Sequence, residues 1–172
     1  MSVYVPVLDT EKIPYLEDLK KHLPRHLVGK EYFIAGDWNC VMVPAIDSTN
    51  PTGENKGQKQ LAELIERGEW VDAYRHLNPK KFCTTNFNYR ANRRLDHIYV
   101  SQSMAGHISG VRHWEKGRST HLPVVMSWII PDSLRIGPSW FKCPADLFED
   151  EEATAGILGL VRTLWKLSLI HI

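Results

Sequence analysis

Residues 32–39 read Tyr-Phe-Ile-Ala-Gly-Asp-Trp-Asn. The apolar run predicts a short buried strand over Tyr32–Ala35, stopped by Gly36. Locally extended backbone would then set Asp37 and Asn39 on one side of the chain. There a carboxylate can orient or deprotonate a water, and an amide can donate to a charged phosphate oxygen. Asp and Asn after Gly also suit a plain turn, and both readings stay open on this segment alone.

Upstream, SVYVPV reads as a strand with Val3, Val5 and Val7 on one side and Tyr4 on the other. Asp9 or Thr10 can cap a helix with Leu16, Leu19 and Leu23 on one face. Pro14 would lie near its first turn and Pro24 would end it. Downstream, residues 44–57 are rich in Pro, Ser, Thr, Asn and Gly and read as a loop. Leu61, Leu64 and Ile65 mark a second amphipathic helix, and Leu95–Val100, Val111–Trp114 and Val124–Ile130 read as strands. Strands separated by helices and long loops predict a mixed α/β (α+β) architecture. Pro131 to Pro144 contains three prolines and reads as a linker, and a last helix is expected from Glu151 to Lys166. Leu167–Ile172, LSLIHI, match the translation of a common transposase sequencing adapter and are expected to be foreign to the fold.

Hydrophobic residues make up 43% of the 172 and charged residues 24%, which argues against a disordered or fibrous chain. No apolar run reaches the roughly 18 residues of a membrane span. The opening MSVYVPVLDTEK lacks the basic and apolar regions of a signal peptide. Cys40, Cys83 and Cys143 share no metal-ligand spacing. A reducing compartment, nuclear or cytoplasmic, is the expectation. The formal net charge of +1 points to no partner. Its distribution is uneven: Arg75–Arg118 holds nine Lys/Arg against two Asp/Glu, whereas Asp146–Glu152 holds five acids and no base. The basic block suits a polyanion, or is simply a solvated face.

Two further segments carry chemistry. In Arg94-Leu95-Asp96-His97-Ile98-Tyr99-Val100-Ser101, Asp96 shares a strand face with Ile98 and Val100, and a carboxylate on an apolar face needs a partner. That partner is either Arg93 or Arg94, in a structural ion pair, or a histidine whose orientation and charge it fixes. In Ser119-Thr120-His121-Leu122-Pro123-Val124, His121 stands just before a strand. Alone it is an ordinary loop histidine.

Together and in this order, the segments resemble the GDxN, RxDxIxxS and SDHxPV motifs of the endonuclease/exonuclease/phosphatase superfamily. Apurinic/apyrimidinic endonucleases, deoxyribonuclease I and LINE-type retrotransposon endonucleases belong to it. The similarity runs from residue 2 to about residue 130. Tyr4 in VYVP matches the family's active-site tyrosine, and VDAYRHLNP with Thr84 and Thr85 resembles the segment between the family's motifs. The resemblance implies a DNase I-like fold lacking its N-terminal portion: a partial two-sheet sandwich flanked by helices. It implies that Asp37 orients or activates the attacking water and that Asn39 holds the water or the phosphate. Asp96 would hold His121 against the scissile phosphate, and Tyr4 would contact a phosphate oxygen or assist the leaving group. Mg²⁺ is the implied cofactor and DNA the implied partner.

The chain departs from the pattern at three points. Thr120 stands where the family has an acid, and Val7 where it has an asparagine. The family's early motifs, with the main metal-binding glutamate, lie upstream of the VYxP strand and have no counterpart. The 172-residue chain is therefore expected to be inactive and poorly stable by itself. Gly137–Lys142, GPSWFK, looks like the connector to a downstream reverse transcriptase in LINE-type polyproteins. The expected organisation is an endonuclease-type domain over 1–130, connector and helix over 131–166, and non-native residues over 167–172. A phosphatase of the same superfamily acting on a small phosphorylated molecule, and a non-catalytic retroelement remnant, remain open alternatives.

Overall fold

The first strand, β1 (Ser2–Tyr4), is short because the chain bends at Val7 and Leu8. Val3 and Val5 are buried, but Val7 lies past the strand and is exposed. The computed structural model describes residues 1–27, 31–53, 55–114 and 119–129, all within the unit Met1–Pro131. The expected linker, the helix over Glu151–Lys166, the GPSWFK connector and Leu167–Ile172 lie outside the described residues.

Helix α1 (Asp9–Leu27) follows. Its first bonds run from the Glu11 and Lys12 N–H groups to the Leu8 carbonyl (3.0 and 2.8 Å), so Leu8 caps it rather than Asp9 or Thr10. Asp9 and Glu11 occupy the first turn, where the helix dipole favours acids. The helix continues past Pro24 to Leu27. A proline's fixed φ is itself near-helical, and it forfeits a single N–H. Leu16 is fully buried, with Leu19 and Leu23 packed beside it.

Strand β2 (Phe33–Asp37) runs through Gly36 instead of stopping there. It pairs in parallel with β1, Val3 opposite Gly36 and Tyr4 opposite Asp37. A Cβ on Gly36 would stand 1.8 Å from the Val3 carbonyl oxygen, so glycine is what lets the two strands approach. Helix α1 is the crossover that a parallel pair requires.

The expected loop over 44–57 contains a short helix, α2 (Pro44–Asp47), which carries Asp47 into the interior. Helix α3 (Gln58–Gly68) buries Leu61 and Leu64. Strand β3 (Trp70–Asp72) and helix α4 (Ala73–Leu77) have no counterpart in the sequence reading. Asp72 caps α4 by accepting from the Tyr74 and Arg75 N–H groups (3.0 and 3.1 Å). The rest comprises β4 (Asp96–Ser101), α5 (Gln102–Ala105), β5 (Ile108–His113) and β6 (Val124–Trp128).

The larger sheet has the order β1-β2-β4-β3, and β5 pairs with β6 in a second, two-stranded sheet. One face of the larger sheet packs against α1 and α3 through Val3, Val5, Ile34, Tyr99, Leu16 and Leu61. The other packs toward β5 and β6 through Val100, Ile98, Ile108, Val111 and Met126. Strand β4 serves both cores by alternation, sending Tyr99 to the helices and Ile98 and Val100 to the second sheet. No described helix is long and apolar enough to cross a membrane.

Candidate active site

Strand register assembles the first part of the site. Tyr4 lies opposite Asp37 across β1 and β2, and Asp37 lies opposite Asp96 across β2 and β4. Three residues distant in sequence therefore stand in one row at the same end of the sheet. The row is anchored by Trp38, which is fully buried and whose N–H donates to the Leu95 carbonyl (2.8 Å).

The chain does not stay extended after Asp37. Asn39 has φ 46, a left-handed conformation that asparagine tolerates. Its N–H donates to Asp37 Oδ1 (2.9 Å), and its Nδ2 donates to the Val5 carbonyl (2.7 Å). Asp37 and Asn39 thus share a cleft through a turn, not through strand alternation. The cleft, of about 360 Å³, is lined by Tyr4, Asp37, Asn39, Asn86, Arg93 and His121 among others.

His121 reaches the row from the segment before β6. Thr85 accepts from the Leu122 N–H (2.7 Å), and Phe87 N–H donates to the Thr120 carbonyl (2.8 Å). His121 Nδ1 donates to Asp96 (2.9 and 3.1 Å to its two oxygens). Its Nε2 lies 3.9 Å from Asp37 Oδ2. One donor atom from each of Asp37, Asp96 and His121 falls within 4.8 Å of the others. The hydrogen bond to Asp96 outweighs burial and raises the His121 pKa, with the Asp96 and Asp37 charges adding to it. Burial raises the Asp37 carboxyl, and the Asp96 charge adds to that, against the Asn39 N–H and His121.

Asn86 escaped the sequence reading. Its Nδ2 lies 2.7 Å from His121 Nε2 and donates there while that nitrogen is unprotonated. Its backbone exchanges bonds with Arg93 (2.7 and 2.9 Å). The only signal was its place after Thr84 and Thr85. Thr85 is itself fully buried and accepts from the Leu95 and Asp96 N–H groups (3.0 and 3.1 Å), which holds the start of β4. Thr120 is exposed, and its position contributes a backbone carbonyl.

Neither arginine beside Asp96 is its ion-pair partner. Arg94, 1% exposed, bonds Asp47 through Nε (2.7 Å) and Asp72 through a terminal nitrogen (2.7 Å). Arg75 also bonds Asp47. His97, buried beside it, faces Asp72 through Nδ1 (3.3 Å) and the Arg94 carbonyl through Nε2 (3.2 Å). The spacing of Asp72 and Arg75 in VDAYRHLNP is thereby explained as buried scaffolding under the site.

No protein-family model and no curated protein matches the sequence. Solved structures do. The chain is similar to an AP endonuclease from Archaeoglobus fulgidus, with TM-score 0.68 and 23% identity, covering 75% of this chain and 60% of that one. It is also similar to a 3′–5′ exonuclease from Neisseria meningitidis, with TM-score 0.63 and 22% identity over 74% of this chain and 59% of that one. A 3′ phosphatase from Neisseria bound to a product DNA hairpin gives TM-score 0.62 and 20% identity, over 70% and 54%. The fold is DNase I-like. The chain spans 54–60% of the length of these DNase I-like structures.

The donor set suits a hard divalent cation in part. Asp37 Oδ2 is a carboxylate oxygen that accepts no hydrogen bond from its neighbours, with His121 Nε2 3.9 Å away. Asp96 has both oxygens on His121 and can give only a shared one. Octahedral Mg²⁺ would draw its remaining oxygens from water and substrate phosphate.

Proposed function

We propose that this chain carries the reacting groups of a Mg²⁺-dependent DNA phosphodiesterase, the endonuclease of a LINE-type retroelement that works with a downstream reverse transcriptase. The observation that supports this reading best is the Asp96–His121 pair, with Nε2 turned to Asp37 in a cleft shared with Tyr4 and Asn39. Asp37 would orient or activate the attacking water. His121, its ring fixed by Asp96, turns Nε2 to the phosphoryl oxygens, and Asn39 and Tyr4 complete the polar wall. Asp37 and Asp96 would hold Mg²⁺, which would neutralise phosphoryl charge. The DNA hairpin in the Neisseria 3′ phosphatase structure is in keeping with a DNA substrate, as is the basic block over residues 75–118.

The 172-residue chain by itself is expected to turn over DNA poorly. Asp37 supplies the one carboxylate oxygen of the described donor group that accepts no hydrogen bond, and a weakly held cation leaves the developing charge to neutral donors and the His121 ring. The test is nicking of supercoiled plasmid in Mg²⁺, beside hydrolysis of a small phosphate monoester, for this chain and for a form extended upstream. Nicking by the extended form, lost in Asp37→Ala, is the expected result. Turnover of the small monoester alone would assign the site to a phosphatase instead.

A further inference from the structure

Arg93 stands next to Arg94 in sequence, and strand-like alternation sends the two in opposite directions. Arg94 goes inward to Asp47 and Asp72. Arg93 is half-buried and lines the cleft that holds Asp37 and His121. It also lines a second cleft of about 280 Å³, shared with Lys12, Lys56, Asn39 and Asn55. The two clefts adjoin along Val7, Asn39, Arg93 and Leu95.

The backbone of Arg93 is held on both sides. Its N–H donates to Asn86, its carbonyl accepts from Thr85 and Asn86, and it bridges to Ser48. The guanidinium, by contrast, has no hydrogen bond or ion pair among the described residues. The other cations nearby are engaged. Lys12 donates to the Asn39 carbonyl (3.0 Å) and lies 3.7 Å from Asp9, and Lys56 lies 3.3 Å from Asp9. Asp9, an acid in the second cleft, is thus already answered. A half-desolvated guanidinium on a fixed backbone, with its five donors unspent, is built for a bidentate anion.

We propose that Arg93 anchors a second phosphate subsite. It would grip the sugar–phosphate backbone of a polynucleotide strand one step along from the phosphate lying over Asp37 and His121. This rests on the hydrolytic reading above and deepens it with a residue that would engage a second consecutive phosphate of the strand. The second cleft is where that strand continues, past Lys12 and Lys56. The inward commitment of Arg94 leaves Arg93 for the ligand.

The experiment uses the full 172-residue chain, a fluorescent DNA oligonucleotide and a salt titration, with a mononucleotide as single-phosphate probe. Arg93→Gln should weaken oligonucleotide binding and lower the log–log salt slope by about 0.7–0.9, the share of one phosphate contact. Its mononucleotide affinity should stay within twofold of wild type. Arg93→Lys should keep the slope while losing part of the affinity, since a point charge lacks the planar fork. The Arg93 backbone contacts do not use its side chain, so both variants should melt as wild type does, and Arg93→Lys reports on the subsite even if Arg93→Gln melts early. An unchanged slope in Arg93→Gln, or equal loss for oligonucleotide and mononucleotide, would overturn the subsite while leaving the hydrolytic reading standing. A wild-type chain that binds mononucleotide but no oligonucleotide would overturn both.

Discussion

Two histidine–aspartate pairs each take one residue from strand β4, and they have opposite surroundings. His97 and Asp72 are closed in: His97 is 1% exposed, its second nitrogen faces main-chain carbonyls, and Asp72 also serves Arg94 and the cap of α4. His121 and Asp96 are half-open. Nδ1 is held, while Nε2 faces Asp37 and the cleft. The electrostatics follow the surroundings. Burial would raise the Asp72 carboxyl, but the His97 hydrogen bond and the Arg94 charge overwhelm it and hold it far below the usual range. Asp37 has no such saturation, and burial leaves its carboxyl raised. A charge network satisfied on every side is scaffold. The same residue types with one group left over are available to a ligand.

The largest effect is expected where the closed network is broken. Asp47 is fully buried between Arg94 and Arg75, and Asp47→Ala would strand both guanidinium groups. A loss of about 3–5 kcal/mol in chemical denaturation is expected. A loss under ~1 kcal/mol would mean that the two arginines find water or new partners, and the contrast between the pairs would collapse.

Next in size is the open site. Asp37→Asn in an upstream-extended form should cut plasmid nicking by about a hundredfold or more. Stability should hold or rise, because a carboxyl with a raised folded pKa is carried ionised at a cost near neutral pH. Unfolding of the variant at lower denaturant than wild type would make Asp37 a structural residue after all.

Asp96→Asn should lower the His121 pKa toward or below its ordinary 6.5, since the hydrogen bond to Asp96 is the main reason it is raised. NMR titration of the His121 ring reads this directly, and a fixed His121 pKa would detach it from Asp96.

The smallest effect is in stability against pH, and the two pairs should differ in sign. His121 has a raised folded pKa, so its contribution is complete below 6.5 and is lost as pH climbs through the raised value. Asp72 has a depressed folded pKa, so its contribution is present above the ordinary carboxylate range and is lost as pH falls toward the depressed value. Denaturation midpoints across pH should show a shallow alkaline loss removed by Asp96→Asn. They should also show an acid loss that this variant leaves intact.

The parts of this molecule legible from sequence are those that repeat at short range. Apolar spacing marks α1, α3 and five of the strands, and Asp37, Asp96 and His121 stand out because each flanks or opens an apolar strand. Short elements stayed hidden. The segment Trp70–Leu77 packs a three-residue strand against a five-residue helix, too short for any period to register. Gly36 read as a stop because a Cβ-less residue marks both a strand end and a close backbone approach, and only Val3, arriving from β1, distinguishes them. The sequence establishes that a carboxylate at Asp96 needs a partner. Which arginine is buried, and which histidine takes the carboxylate, depends on Asp47, Asp72, Asn86 and His121, brought to β4 by register across the sheet and by the segment before β6. Those contacts join residues up to 47 positions apart. Burial and pairing at that range are properties of packed layers, not of any window along the chain.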